Sequence, residues 1–248
     1  MRPDASKKIA TVTPKGGPNP IVIGAVIAVL VVVAVVVAIL VGNNSKSGSD
    51  AGASGSSTPA GVVGGDAGGI LANPGAAKGK APTLDTYEDF QCPQCGELEK
   101  TLGPAITAMA KAGQIKLVVH TLSFLDGNLK NDSSSRAANA AACASDAGKF
   151  LEYHGAVFAA QPAQEGVGYT DAQLTEFAKT AGITGPALTT WQKCTSSGQH
   201  AEYVTAVQTG AEKAGVFSTP TVKLNGKDIS KTLTTADALV ATVKAATS

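Results

Sequence analysis

The residues with the most evident chemistry are two cysteines separated by two positions, Cys92-Pro-Gln-Cys95. Such a pair either forms half of a tetrahedral zinc site or cycles between dithiol and disulfide. A zinc site commonly adds a second cysteine pair or a histidine pair, but His120, His154 and His200 stand at unrelated spacings. We interpret these three as surface or packing histidines, predict no metal or cofactor, and favour a redox pair.

The local setting of the cysteine pair strengthens the redox interpretation. Residues 83–90 predict a strand, and an amphipathic helical pattern begins directly after the pair, with Pro93 in the first turn where its missing N–H costs little. The free N–H groups and the dipole of a helix N-terminus favour a thiolate, so we expect a lowered pKa at Cys92. We therefore predict Cys92 as the exposed nucleophile and Cys95, one turn later, as the buried resolving thiol.

The elements that must position this pair follow along the chain. The helix after the pair is predicted to kink or break at Gly103-Pro104, and residues 115–122 predict a second strand. A helical block of about residues 131–214 comes next, followed by a hairpin that turns at Asn225-Gly226 and by a closing helix. This order predicts an α/β fold whose sheet is covered by helices, with a helical insertion between its halves.

A proline at the start of the hairpin is the second element of interest. Pro220 follows Thr219 where a strand begins, and a proline there removes one hydrogen-bond donor from the ladder. Two explanations remain open from the residues alone. The proline lies either on an edge strand or after a cis peptide bond in a tight turn.

Together these motifs resemble the DsbA-like branch of the thioredoxin superfamily. The resemblance rests on the cysteine motif, on Ser218-Thr219-Pro220-Thr-Val followed by Asn-Gly, and on the helical insertion, and it covers nearly all of residues 83–248. It implies a thioredoxin fold, a cis bond at Thr219-Pro220 packed against Cys92, and a substrate groove around that loop. Gln94 departs from the family pattern, in which a histidine often lies between the cysteines, and this leaves the oxidising strength open.

Two acidic residues lie shortly before the cysteine pair. Glu88 is a candidate proton acceptor for Cys95, because it ends the strand that leads to the pair. Asp89 is interpreted instead as a solvated charge at the end of the strand.

The remaining cysteines, Cys143 and Cys194, fall in helical segments of the insertion. They form either a second redox pair or a structural disulfide that clamps two helices. We favour the structural disulfide, because the cysteine count is even and the domain is expected in an oxidising compartment. An extra pair of this kind, together with a membrane anchor, looks like the actinobacterial members of the family.

The first 82 residues are predicted to lie outside the domain core. A basic tail, 1–20, precedes an uncharged apolar run of 21 residues, 21–41, which as a helix spans roughly 31 Å and matches the ~30 Å hydrocarbon core. A flexible linker rich in Gly, Ala and Ser, 42–82, follows. Because the positive charges precede the run, we predict a single-pass membrane protein with a cytoplasmic N-terminus and an extracytoplasmic domain, 83–248.

These observations predict a thiol:disulfide oxidoreductase that forms disulfides in exported proteins by exchange at Cys92 and Cys95. The family resemblance implies reoxidation by a membrane-bound, quinone-linked thiol oxidase. Two alternatives stay open: a reductase or isomerase with the same site, and a non-catalytic tethered binding or chaperone module. The net charge of +1 gives no basis for a nucleic-acid partner.

Overall fold

The protein is described from a computed structural model, which covers residues 57–76 and 79–247. Its centre is a five-stranded sheet in the order β1-β3-β2-β4-β5. The strands are β1 (Ile70–Leu71), β2 (Thr83–Glu88), β3 (Lys116–Thr121), β4 (Thr221–Leu224) and β5 (Lys227–Asp228). β2 pairs in parallel with β3, and the other neighbouring strands are antiparallel. The parallel pair requires a crossover connection, which the helix after the cysteine pair provides.

Eight α-helices surround this sheet within the described residues. They are α1 (Pro93–Lys111), α2 (Leu125–Leu129), α3 (Ser133–Asp146), α4 (Phe150–Ala159), α5 (Asp171–Thr180), α6 (Gly185–Ser197), α7 (Ala201–Lys213) and α8 (Ala236–Ala245), and a 3-10 turn covers Ser230–Thr232. Helices α2 to α7 form one block between β3 and β4. The predicted α/β architecture with a helical insertion is therefore confirmed.

The central strand β2 leads directly to the cysteine pair and fixes its position. Tyr87 pairs with His120 of β3 on one side and with Thr221 of β4 on the other, so β2 is fixed from both edges. The strand ends at Glu88, and after four intervening residues the chain enters α1 at the carboxyl edge of the sheet. In open α/β sheets this edge is where sites form.

Helix α1 runs through its internal proline without interruption, so the predicted break at Gly103-Pro104 is wrong. Pro104 removes one backbone hydrogen bond. The face formed by Leu102, Ile106 and Met109 is buried against the core on both sides of the proline. Burying a side chain of this size is worth about 1.5–3 kcal/mol, so the packed face outweighs the lost bond.

The hairpin at the far edge of the sheet turns where the sequence predicts it. Asn225 and Gly226 lie between β4 and β5 with φ angles of 49° and 80°. Two consecutive residues with positive φ form the tight turn that matches the twist of the strands, and Asn-Gly adopts it most readily. The Asn225 side chain also accepts a hydrogen bond from the backbone N–H of Thr83, at 2.9 Å, which ties the turn to β2.

The segment before the domain is partly structured, so the linker prediction is wrong for residues 57–76. Ile70 and Leu71 add β1 antiparallel to β3, with Ile70 fully buried. The Asn73 side chain donates to the carbonyl oxygens of Ala110 and Ile115, both at 2.8 Å, and accepts from the N–H of Leu117 at 3.0 Å. The sequence analysis missed this two-residue strand and Asn73 because the surrounding residues are rich in Gly and Ala.

The predicted membrane run, 21–41, lies outside the described residues, as do the tail before it and the linker to residue 56. None of the helices within 57–76 and 79–247 combines the length and the apolar character that a membrane crossing requires.

Candidate redox site

Cys92 occupies the N-cap position of α1, and Pro93 follows as the first helical residue. The backbone of Cys92 is extended, and its carbonyl accepts the N–H groups of Cys95 and Gly96 at 3.1 and 3.2 Å. Cys95 is fully buried, whereas Cys92 keeps 7% of its surface exposed. Cys92 is thus the more accessible thiol, although it is less exposed than predicted. Gln94 is exposed beside it.

The pKa values of the two thiols are shifted in opposite directions. A hydrogen bond from the Cys95 thiol lowers the pKa of Cys92 to about 6, assisted by the Thr219 side chain and by the helix N-terminal N–H groups, while burial opposes the shift. Burial raises the pKa of Cys95 far above its usual range, and the hydrogen bond to Cys92 and the charge of Glu88 add to this. Cys92 therefore carries a thiolate at neutral pH, and Cys95 keeps its proton.

The loop before β4 lies directly against Cys92. The peptide bond between Thr219 and Pro220 is cis, and the Sγ of Cys92 is 3.7 Å from the carbonyl oxygen of Thr219. Phe217, two residues before this contact, is 79% exposed. An exposed aromatic side chain thus lies two residues from the Thr219 carbonyl that contacts the reactive sulfur, and no sequence signal singled out Phe217.

The turn between β2 and Cys92 is held by Asp89, which is fully buried, so the interpretation as a solvated charge is wrong. Its carboxylate accepts the N–H of Gln91 at 2.9 Å, the hydroxyl of Ser134 at 2.5 Å and the N–H of Leu125 at 3.3 Å. Burial raises the pKa of Asp89 to about 6 against these hydrogen bonds. Two of the three partners, Ser134 and Leu125, belong to the helical block between β3 and β4, and no spacing rule along the chain connects them with Asp89.

Two side chains from the insertion hold the backbone around the nucleophile. The Gln161 side chain donates to the carbonyl oxygens of Phe90 and Cys92, both at 2.9 Å, and the Tyr169 hydroxyl donates to that of Phe90 at 2.8 Å. Both residues fall within the predicted helical block, 131–214, and the sequence singled out neither of them. They fix the turn that presents the Cys92 sulfur.

Known proteins with this arrangement include redox enzymes. A family model described as Thioredoxin matches residues 75–245. The reduced form of DsbG from Mycobacterium tuberculosis is 30% identical over 76% of this chain and 84% of its own, with a TM-score of 0.58. Reduced DsbA from the same organism is 30% identical over 76% and 89%, with a TM-score of 0.57. MdbA of Corynebacterium diphtheriae, a thiol-disulfide oxidoreductase, is 26% identical over 71% and 90%, with a TM-score of 0.58. No curated protein matches the chain.

The chain is a DsbA-like thiol-disulfide oxidoreductase. The family match covers more than half of the sequence and spans both motifs on which the resemblance rests. Within the described residues of the DsbA-like chain, no cluster of three or more His, Cys, Asp or Glu side chains spaced for a shared metal ion includes Cys92 or Cys95.

The three histidines of the DsbA-like chain are all buried, each against a carboxylate. His154 contacts Glu88 at 2.7 Å, His120 contacts Asp85 at 3.2 Å, and His200 contacts Asp146 at 2.8 Å. They are thus packing residues, and the surface placement that was also considered is wrong. Only the pair of His154 and Glu88 lies next to the redox site, because Glu88 acts electrostatically on Cys95.

Cys143 of α3 and Cys194 of α6 form a disulfide with a Cα–Cα distance of 5.9 Å. Both residues are buried, and the bond closes a loop across 51 positions within the insertion of the DsbA-like chain. Trp191, one turn before Cys194, donates its indole N–H to the Ala140 carbonyl at 3.0 Å, which locks the same two helices. The position fits a structural clamp.

Proposed function

We propose that the protein forms disulfides in exported proteins outside the cytoplasm, by exchange at Cys92 and Cys95. The observation that carries this proposal is that the pKa of Cys92 is lowered while the pKa of Cys95 is raised. A thiolate of low pKa is a good leaving group in thiol–disulfide exchange. Cys92 therefore releases a client readily from a mixed disulfide. Its stabilised thiolate also lowers the free energy of the reduced enzyme, so the disulfide form of the enzyme is an oxidant.

The catalytic cycle starts from the Cys92–Cys95 disulfide. A client thiolate attacks the Sγ of Cys92, a mixed disulfide forms, and Cys95 leaves as a thiolate and takes up a proton. A second client thiolate then attacks the client sulfur of the mixed disulfide. The client disulfide forms, and Cys92 leaves as a thiolate. Two electrons have passed from the client to the enzyme, which must be oxidised again.

The loop around Thr219 supplies the client site in this proposal. An extended client segment can pair with the backbone of this loop as an added strand. The exposed ring of Phe217 offers apolar contact next to that strand. Unfolded clients expose apolar side chains near their cysteines, so this surface suits them without demanding one sequence.

The location and the reoxidant complete the proposal. The apolar run 21–41 would anchor the chain with the domain outside, and the buried disulfide between Cys143 and Cys194 is typical of proteins in an oxidising compartment. A domain tethered in this way meets both exported clients and a membrane-bound, quinone-linked thiol oxidase. That oxidase would return Cys92 and Cys95 to the disulfide.

The reduction potential of the Cys92–Cys95 pair tests the direction of the reaction. The purified domain is equilibrated in a glutathione series, and the reduced fraction is measured by thiol alkylation and mass spectrometry. We expect a potential well above the −270 mV or so of thioredoxin. A value near that of thioredoxin would favour a reductase, a role to which the neutral Gln94 points because it places no cation beside the thiolate.

A Cys92→Ser variant tests whether the chain is an enzyme in its own right. We expect it to lose all oxidation of a reduced, unfolded model protein. Suppression of aggregation that persists in this variant, together with unchanged biological activity, would favour the non-catalytic chaperone module.

A further inference from the structure

The side chain of Gln161 reaches the redox site from beyond the end of α4. That helix ends at Ala159, because Pro162 disfavours a helical conformation at the residue before it. The Nε2 of Gln161 donates to the carbonyl oxygens of Phe90 and Cys92, at 2.9 Å each. Because both partners can only accept hydrogen bonds, the side chain at this position must carry a donor.

Gly96, in the first turn of α1, makes room for this carboxamide. A Cβ atom on Gly96 would collide with Oε1 of Gln161 and would lie 3.0 Å from its Cδ. The backbone of Gly96 is helical, so its own conformation does not require glycine, and alanine would favour the helix more. The close approach of the Gln161 side chain therefore explains why this position has no side chain.

The carbonyl oxygen of Cys92 receives three hydrogen-bond donors. The backbone N–H groups of Cys95 and Gly96 reach it at 3.1 and 3.2 Å, and Gln161 reaches it at 2.9 Å. A carbonyl oxygen has two lone pairs, so two donors satisfy it. The regular helical bond from Gly96 and the side-chain bond from Gln161 fill this capacity, which leaves the N–H of Cys95 for another acceptor.

The thiolate of Cys92 is the acceptor that uses this N–H group. The Cys95 thiol makes the largest contribution to the lowered pKa of Cys92, and the backbone N–H groups of Cys95 and Gln94 add to it. The Cys95 N–H is thus shared between the carbonyl oxygen and the sulfur of Cys92. A thiolate accepts a hydrogen bond more strongly than the neutral sulfur of a disulfide does, so the shared N–H stabilises the reduced enzyme.

We propose that Gln161 is a positioning residue for thiol–disulfide exchange, because its carboxamide, seated over Gly96, holds the Cys92 carbonyl and leaves the Cys95 N–H for the sulfur. The inference rests on the proposed exchange reaction at Cys92. When a second client thiolate attacks the client sulfur of the mixed disulfide, the bond from that sulfur to Cys92 breaks. The electron pair stays on the Cys92 sulfur, which takes up no proton. The insertion thus stabilises the leaving thiolate through Gln161.

The first experiment measures alkylation of the reduced full chain by iodoacetamide from about pH 4 to about pH 9. In Gln161→Met the Phe90 carbonyl keeps the Tyr169 hydroxyl, so the Cys92 carbonyl alone loses its side-chain donor. We expect the midpoint to move from near pH 6 to about pH 7, the effect of weakening roughly one hydrogen bond to the thiolate. Gln164→Met, at an exposed position of the same loop, is the matched control and should keep the wild-type midpoint.

The equilibrium with glutathione gives a readout that a purely structural role would not move. A less stabilised thiolate disfavours the reduced enzyme, so the equilibrium constant for reduction of Gln161→Met at pH 7 should fall about fivefold. This change corresponds to a reduction potential lower by about 20 mV. Unfolding in urea, followed by circular dichroism, reports on the fold of each variant.

Gly96→Ala tests the same contact from the helix. In the wild-type background the new methyl group displaces Gln161, so the alkylation midpoint should rise as in Gln161→Met, and the urea midpoint should fall. In a Gln161→Ala background the space is open, and alanine favours a helix more than glycine does. There Gly96→Ala should raise the urea midpoint and leave the alkylation midpoint of that background unchanged.

Two results would overturn the positioning role. One is a wild-type alkylation midpoint in both Gln161→Met and Gly96→Ala, and the other is an equal effect of Gly96→Ala in the two backgrounds. If one of the two variants does not fold, the other provides the same comparison with the wild type.

The wild-type protein distinguishes these results from failure of the proposed function. If its Cys92 neither reacts as a thiolate nor exchanges with dithiothreitol, the exchange reaction itself is wrong. If it does both and the variants match it, only the role of Gln161 is wrong.

Discussion

At the scale of single residues, Cys92 combines near-complete burial with a stabilised thiolate. Its main stabilising contact is the Cys95 thiol, so the acidity of the nucleophile depends on its partner. We expect the rate of Cys92 alkylation by iodoacetamide to titrate near pH 6 in the reduced protein. Cys95→Ala should move this midpoint upward, because it removes the hydrogen bond. A midpoint near 8.5, that of an ordinary cysteine, would contradict the assignment of Cys92 as the nucleophile.

The same shift makes stability depend on pH in the reduced protein. The pKa of Cys92 is lower in the folded than in the unfolded chain, so the unfolded state binds more protons between the two values. The resulting stability is fully present above about pH 9, the unfolded value, and is lost as the pH falls through about 6. The oxidised protein has no such group. As the pH rises from 6 to 9, the Tm of the reduced protein should therefore increase relative to the Tm of the oxidised protein.

Phe217 is the residue whose exposure most suggests contact with a client. Burying a phenylalanine completely is worth about 1.5–3 kcal/mol, and partial burial under a client about half of this, or roughly a fivefold change in affinity. Phe217→Ala should raise the KM for a reduced, unfolded protein by this factor and leave the reaction with dithiothreitol unchanged. Val63→Ala, an exposed apolar residue beside β1, is the control. An unchanged KM would remove Phe217 from the client site.

At the scale of elements, the disulfide joins α3 and α6 in the insertion. In the chain-entropy model a cross-link over 51 positions stabilises the fold by about 4 kcal/mol. The double variant Cys143→Ala and Cys194→Ala should lose stability of this order in urea unfolding. Its exchange with dithiothreitol should persist below the new transition, because Cys92 and Cys95 are untouched. Loss of exchange in the folded variant would favour the second redox pair considered from the sequence.

One buried side chain, Asn73, ties the segment after β1 to α1 and β3. Asn73 makes three hydrogen bonds with backbone groups around the end of α1 and the start of β3. Asn73→Ala leaves these groups unpaired, so we expect a loss of about 2–4 kcal/mol in urea unfolding. Asn128→Ala, at an exposed position of α2, should change stability by less than about 0.5 kcal/mol. Equal effects of the two substitutions would show that residues 57–76 contribute little to the fold.

At the scale of the whole molecule, the proposed anchor and the domain predict where the thiols are found. In intact cells, a membrane-impermeant maleimide should label Cys92 after mild reduction, and the protein should remain in the membrane fraction after carbonate washing. Replacing three apolar residues within 21–41 by aspartate should abolish this retention, since a charge in the hydrocarbon core is costly. Labelling only after lysis would place the domain in the cytoplasm and overturn the proposed location.

The sequence by itself determined the redox motif, its place at a helix N-terminus, the order of the elements and the hairpin at Asn225-Gly226. These features are local, because each depends on residues a few positions apart along the chain. The roles of the two cysteines, Cys92 as nucleophile and Cys95 as resolving thiol, follow in the same way. Cys92 caps the helix, and Cys95 lies one turn inside it. The pairing of Cys143 with Cys194 followed from a count of four cysteines, two of which were already assigned.

Only the tertiary structure decided which distant side chains surround the site. Asp89 is buried because the insertion folds over the turn, and Gln161 and Tyr169 reach the same turn from 71 and 79 residues away. His154 meets Glu88 across 66 positions, and no spacing rule connects them. Burial and hydrogen bonding between such residues arise from packing of the whole domain. For this reason the nucleophile could be predicted from the sequence, whereas the distant side chains that support it could not.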